Sequence, residues 1–511
     1  MIDKFQVSVR GGDEEVVIIC AKRRALSYDT QLVARAHIVN LGDDLTRMVF
    51  GKLLLRDCIT VSHVCAYWRW LAVTDPLLWT VLVGSPARIP LLYERAGSTI
   101  PVDVRLGFRV DALDHIVLCI SENFGRMKSF TLIAEEYDCV PEAVWMTVLG
   151  MLSHPGKLLQ RLHLENGCWT SPTFTLAATG STSRLRELVL LGILMPDLSL
   201  LPPALISLAY GGPTFVTKVV FTFRDLWTIF RACPALKNLW LCVDWRGSAA
   251  ELHNTAPTTV QLHQLGLRII SNATVTQHLL NFMTSRNIRH VDVCHFEGDP
   301  VHDLLPNFQG QSISILPTTM HWGMDDCDIV VTDPSARSRY IRGADFEHIR
   351  TYPLLWSSLV SLTICGDMSN RLVRPPPHAP CLQRLRLLYH PISDRRAIRR
   401  TISAIEPWKL VNGGWQCPSL HTVEFALVLS RSPYGRPEKL IHPLLLPSSA
   451  VLKFVTGELS HSPITRVIVY GDNIRIESRA DEELPFPLSC DSSDSRIQVL
   501  WTDMVFDGFD S

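Results

Sequence analysis

The sequence predicts an α/β protein: a small block of helices, then an irregular solenoid with a curved parallel sheet and outer helices. Two observations predict it. Apolar residues recur at helical spacing between Leu45 and Trp79. Behind them the pattern L-x-x-L-x-L returns repeatedly from Met127 to Val469. The length of 511 residues suits either a few domains or one long repeat array.

The helical block comes first. Leu45, Met48, Val49 and Leu53 place an apolar face on one helix, with Asp43 or Asp44 just ahead as its cap. Asp57 is expected to cap a second helix. In it Cys58, Val61, Cys65 and Trp68 step by three or four residues into one stripe, which Val64 widens. Asp75-Pro76 marks a third start, with the carboxylate as cap, proline in the first turn, and Leu78 and Trp79 following. So small a unit carries more apolar surface than it can hide alone. It needs a partner, within the chain or on another protein.

Val61-Ser62-His63-Val64-Cys65-Ala66-Tyr67-Trp68 and Asp75-Pro76-Leu77-Leu78-Trp79, with Val49-Phe50 and Leu53 ahead of them, resemble the F-box. This is the helical module by which substrate adaptors dock onto cullin-RING ubiquitin ligases. The family opens on Leu-Pro-x-Glu. Here Leu41-Gly42-Asp43-Asp44 has glycine for the proline and aspartate for the glutamate. The resemblance implies docking to a Skp-type linker subunit, and through it to a cullin. Leu41, Leu45, Val49, Leu53, Val61, Val64 and Trp68 would make that contact, with Phe50, Cys65 and Trp79 as the module's core. Any one of these residues alone reads as ordinary core; the ordered set favours the F-box.

A strand and a helix lead into the repeats. Glu15–Cys20 reads as a short strand of uncertain place. A helix over Leu91–Ala96 would pass through Gly97 into a strand beginning near Val102. That segment, Glu94-Arg95-Ala96-Gly97 and then Pro101, is similar to one that follows the box in fungal F-box proteins.

The repeats begin with Met127–Leu132, Leu159–Leu164, Leu185–Leu190 and a looser Leu205–Tyr210. They continue with Leu236–Leu241, Leu262–Leu267, Ile288–Val293, Leu359–Ile364, Leu382–Leu387, Leu420–Phe425 and Ile464–Val469. Most neighbours lie about 20 to 32 residues apart, as in leucine-rich repeats. The gap from 293 to 359, and the one after 387, hold insertions or a degenerate copy. The last two apolar residues of each motif flank one outward residue, so each motif is a short strand. Asp225–Leu236 shows the unit: a helix, a proline stop, then the strand. Ala379-Pro380 and Cys417-Pro418 repeat the punctuation. One copy cannot bury its face alone, and stacking solves that.

The outward residues form a concave face: His163, Val189, Ala209, Trp240, Gly266, Asp292, Thr363, Arg386, Glu424 and Ile468. His163, Trp240, Asp292, Arg386 and Glu424 are the candidates for holding a target. Trp240 is an anchor there, or lies beneath an insertion. The mixed signs point to no ligand charge.

Other function classes find little support. Lys plus Arg number 49 and Asp plus Glu 50, which argues against a general nucleic-acid surface. No phosphate loop, nucleophile elbow or H-E-x-x-H is present, so no catalytic residue, enzyme activity or cofactor is expected. His290, Asp292, Cys294 and His295 are the best metal candidates, but three polar-tolerant surface positions explain them better. The apolar region Leu188–Leu208 is broken by Asp197, Pro202 and Pro203 and is no membrane span. The charged start and 14 cysteines without a C-x-x-C pair lead us to expect free thiols in an intracellular setting, cytoplasmic or nuclear.

The expected divisions are a lead over 1–36, a helical domain over 37–84, repeats over 85–477 and an acidic tail over 478–511. The expected function is a ligase adaptor that docks through the box and binds a target protein through the repeats. The alternative is a repeat scaffold whose degenerate box does not dock.

Overall fold

The computed structural model describes residues 4–11, 14–21, 42–134, 140–153, 156–168, 170–176, 184–212, 219–246, 261–269, 279–280, 288–294, 304, 311–317, 326–345, 353–365, 378–389, 417–427, 444–447, 454, 459, 462–470, 474–477 and 488–491. The chain is a mixed α/β protein with mostly parallel sheet and several helices. It divides into two compact units. The first holds residues 1–219 and 224–236, the second 220–223 and 237–511.

In the first unit, β1 (Lys4–Gly11) and β2 (Glu14–Ala21) form an antiparallel pair, which places the Glu15–Cys20 strand. Three short helices follow: α1 (Asp43–Phe50), α2 (Leu55–Ser62) and α3 (Ala66–Thr74). A 3₁₀ turn over Pro76–Trp79 has the Asp75 carboxylate as its cap, accepting from Leu77 N at 3.0 Å. Then β3 (Val81–Gly84) opens a parallel sheet with β4 (Val102–Gly107), β5 (Met127–Ala134), β6 (Arg161–Asn166), β7 (Glu187–Leu191) and β8 (Ser207–Gly211) in that order. The sheet therefore starts inside the stretch 37–84 expected to be helical. Between strands run α4 (Ile89–Ala96), α5 (Leu113–Asn123) and α6 (Glu142–Leu152). Gly97 ends α4 at φ +69°, a conformation that suits glycine.

The core of this unit lies behind the sheet. Trp145 of α6 is fully buried, edge-on to Phe108 at 4.6 Å. Its Nε1 donates to Asn166 Oδ1 at 3.2 Å, so the buried amide and indole satisfy each other.

The repeat's proline has a different role from a helix stop. Before six strands a tight turn closes on the motif's first leucine, with proline at the second turn position in four of them. Leu205 N donates to Pro202 O, Leu236 N to Cys233 O, Leu382 N to Ala379 O and Leu420 N to Cys417 O, at 3.0–3.2 Å. Pro203, Pro234, Pro380 and Pro418 supply the fixed φ such turns require. Leu159 N closes the same turn on Gly156 O, and Leu359 N on Trp356 O, without a proline. Each leucine so delivered is buried. The helix expected before the Leu236 motif is α7 (Phe223–Ala232).

The second unit carries β9 (Val220–Phe221), β10 (Asn238–Trp245), β11 (Gln264–Ile269) and β12 (His290–Cys294), all parallel. The gap from 293 to 359 inserts three strands, β13 (Ser312–Pro317), β14 (Asp326–Thr332) and β15 (Ser338–Asp345). They join the sheet in the order β12-β15-β14-β13, with β14 antiparallel to both neighbours. A short helix α8 (Pro353–Ser357) precedes β16 (Ser361–Cys365), which pairs with β13. Then β17 (Arg384–Tyr389), β18 (Thr422–Leu427), β20 (Arg466–Tyr470) and β22 (Leu488–Asp491) continue in parallel. Apart from these, β19 (Leu444–Pro447) pairs with β21 (Ile474–Glu477). The expected acidic tail thus supplies a strand at 488–491; residues 492–511 lie outside the described residues. Cys58, Cys65, Cys119, Cys168, Cys233, Cys242, Cys294, Cys381 and Cys417 are free thiols. Among the described residues no helix is long and apolar enough to cross a membrane.

Candidate functional site

Two surfaces gather the predicted residues. The first is the helical block. Gly42 is the N-cap of α1, and its carbonyl accepts from Thr46 N at 3.1 Å. Asp43 and Asp44 stand in the first turn, where the helix dipole favours a carboxylate, and neither caps it. Phe50, the last residue of α1, is buried and meets the half-buried Trp68 ring edge-on at 5.4 Å. Trp79 is fully buried; its Nε1 donates to Ala72 O at 2.7 Å, and the Arg95 guanidinium lies 4.5 Å from its ring.

The expected single helix through Cys58, Val61, Cys65 and Trp68 is two helices. The chain turns at His63–Val64, with Val64 N on Val61 O at 3.1 Å, and restarts at Cys65. Asp57 lies in the first turn of α2, whose N-cap is Leu54. Cys65 is therefore exposed and outside the core. Its sulfur caps α3, accepting from Trp68 N at 3.5 Å. Cys58 alone is the buried thiol of the block, donating to Phe50 O at 3.4 Å. Burial, and then the charge of Asp57, push it above the usual thiol range. Tyr67 ties α3 to α1 by donating to Asp43 Oδ1 at 2.5 Å.

With that core closed, a dense set of apolar side chains faces outward. Leu45 is 53 % exposed, Met48 67 %, Val64 60 % and Trp70 51 %. Leu54 and Leu77 are exposed too. Of the predicted docking residues, Leu45 and Val64 belong to this set; Val49, Leu53, Val61 and Trp68 are half-buried. Leu41 lies outside the described residues. Sequence reasoning missed Met48, Leu54, Trp70 and Leu77 as surface. It put Leu45, Met48, Val49 and Leu53 on one apolar face, of which Leu45 and Met48, one turn apart, are exposed.

The second candidate surface is the row between the inward-pointing residues of each strand, taken unit by unit; contrary to expectation Val189, Ala209, Glu424 and Ile468 are buried in it. The predicted outward residues fall into register. In the first unit Thr131, His163, Val189 and Ala209 are paired partners. In the second, Trp240, Gly266, Asp292 and Tyr340 run on through Val330 and Ser314 to Thr363, Arg386, Glu424 and Ile468. Sequence placed the row; the structure changes its chemistry. Asp292 accepts both Arg342 Nε at 3.2 Å and Nη2 at 2.7 Å. Glu424, 1 % exposed, takes Arg386 at 2.6 Å and Arg384 at 3.1 Å. The charges expected to meet a target are largely spent on one another. His163 Nε2 lies 3.4 Å from Glu165 Oε2.

Trp240 is half-buried, its ring lying across Gly266 of the next strand. A Cβ on residue 266 would collide with that ring. Gly266→Val is expected to lower stability by about 1–3 kcal/mol, and adding Trp240→Ala to recover most of it. Urea unfolding of the three variants checks this; additive losses would contradict it.

The metal candidates have other partners. His290 Nδ1 faces Ser338 Oγ at 2.8 Å, and Asp292 is held by Arg342. Burial pushes the Cys294 thiol up to about 12, which keeps it protonated at neutral pH. His295 lies outside the described residues. No family model matches the chain, and no curated protein matches it.

Proposed function

We propose that this chain is a substrate-recognition adaptor of a cullin-RING ubiquitin ligase. The helical block docks to a Skp-type linker subunit, and the strands behind it form a leucine-rich-repeat solenoid that holds a target protein. One observation carries the reading: the block closes its own core around Phe50 and Trp79, yet leaves Leu45, Met48, Val64 and Trp70 more than half exposed. Exposed apolar side chains so concentrated mark an interaction surface. Catalysis would then be proximity supplied by a scaffold, with no side-chain chemistry in this chain.

The second reading is a repeat scaffold whose box does not dock, and Gly42 favours it. Gly42→Pro with Asp44→Glu separates the two. Gly42 has φ −56°, which proline adopts, and an added Cβ meets nothing within 4 Å. The change therefore leaves the fold in place. The adaptor reading expects the unaltered chain to bind the linker and the double variant to bind about two- to tenfold tighter. Binding only after the change supports the scaffold.

A further inference from the structure

The leading edge of the second unit's sheet is cationic. It lies two and three residues ahead of the row that holds the paired charges. Lys237, Arg289, Arg384 and Arg466 stand there, with the polar His263 and His421 beside them, on β10, β11, β12, β17, β18 and β20 or just before them. Lys237, His263, Arg289, Arg384, His421 and Arg466 are all exposed. Backbone bonds carry the ladder to this edge: His263 N donates to Lys237 O, His290 N to His263 O and His421 N to Gln383 O.

Among the described residues no carboxylate pairs with Lys237, Arg289 or Arg466. The acids nearby are already engaged. Asp333 is buried against Arg337 at 2.6 Å, and Glu424 holds Arg386 and Arg384 from below. Between the cations the same edge presents the amides of Gln311 and Gln383 and the hydroxyls of Ser312 and Ser361. Among the described residues, the exposed charges named on this edge are of one sign, in a chain whose formal net charge is −1.

From β10 to β20 the edge crosses ten strands, roughly 43 Å at about 4.8 Å per strand. Its free cations stand about 10 Å or more apart. A nucleic-acid strand carries one charge about every 3.4 Å, several times denser than that. No aromatic side chain stands among the edge residues named to stack a base. We propose that this edge binds an extended acidic polypeptide segment, whose carboxylates meet the cations while its peptide groups meet the amides and hydroxyls. The proposal deepens the adaptor reading, on which it rests for the role of the segment as part of a target.

The test titrates the full chain with a fluorescent extended peptide of about fifteen residues, glutamate at every third position and serine between, so that its carboxylates stand about 10 Å apart and it spans the edge. Saturable binding is expected, weakening steeply when salt is raised about tenfold. Lys237→Glu, Arg289→Glu and Arg466→Glu together should weaken it at least about tenfold, and the three glutamine replacements about threefold. No binding above a lysine-peptide control, or binding indifferent to both triple variants, overturns the proposal. An oligothymidylate that binds more tightly than the peptide, and loses affinity in the same variants, also overturns it in favour of nucleic acid. Linker capture is measured on the same proteins. Peptide binding without linker capture leaves the edge standing and sinks the adaptor reading; linker capture without peptide binding does the reverse.

Discussion

Leu45→Glu combined with Val64→Glu is expected to weaken linker binding at least about hundredfold. Both side chains are more than half exposed, unlike the buried Phe50, Leu71, Ala72 and Trp79. A glutamate at either place meets solvent in the free protein, so stability should change by no more than about 0.5 kcal/mol. In a docked complex the same two carboxylates would be buried without partners, which is strongly unfavourable. The combination of lost binding and kept stability distinguishes docking from folding. Equal binding by the variant would place the interface elsewhere.

Trp79→Ala is expected to lose stability first, and binding with it. The ring is fully buried, its N–H is satisfied by Ala72, and Arg95 covers one face. Truncation removes a large apolar volume and leaves a buried carbonyl short of a donor. Losses of about 3–5 kcal/mol are usual for such a change. The first urea transition of the full chain should shift accordingly, and linker binding should fall with it. A shift worth less than about 1 kcal/mol would mean that Trp79 does not hold the block together.

The strands were the most legible part of the chain. Sheet alternation is local, so Leu162 and Leu164 declare themselves inward and His163 outward without knowledge of any neighbour. The repeat then put the outward residues in one row, and the registers agree from Trp240 to Ile468. Three features could not be read this way. The helix break at His63–Val64 is invisible to periodicity, because apolar spacing carries on across a tight turn. That is why Cys65 looked like core and is instead a cap. The antiparallel β14 depends on pairing with strands on either side, which no local pattern specifies. Pairing of Asp292 with Arg342, and of Glu424 with Arg384 and Arg386, joins residues 38 to 50 positions apart. Charge at a single position cannot reveal whether it is free to meet a partner. The proline punctuation was visible, but its role as the second residue of a turn needed the backbone.

The central claim rests on whether the exposed apolar set of the helical block docks. Titration of the purified full chain with a purified Skp-type linker subunit tests it most directly. The account predicts a saturable one-to-one complex with a Kd of about 1 μM or below, lost in the Leu45→Glu, Val64→Glu variant. No complex at about 100 μM linker, from a chain whose urea transition shows it folded, would contradict it.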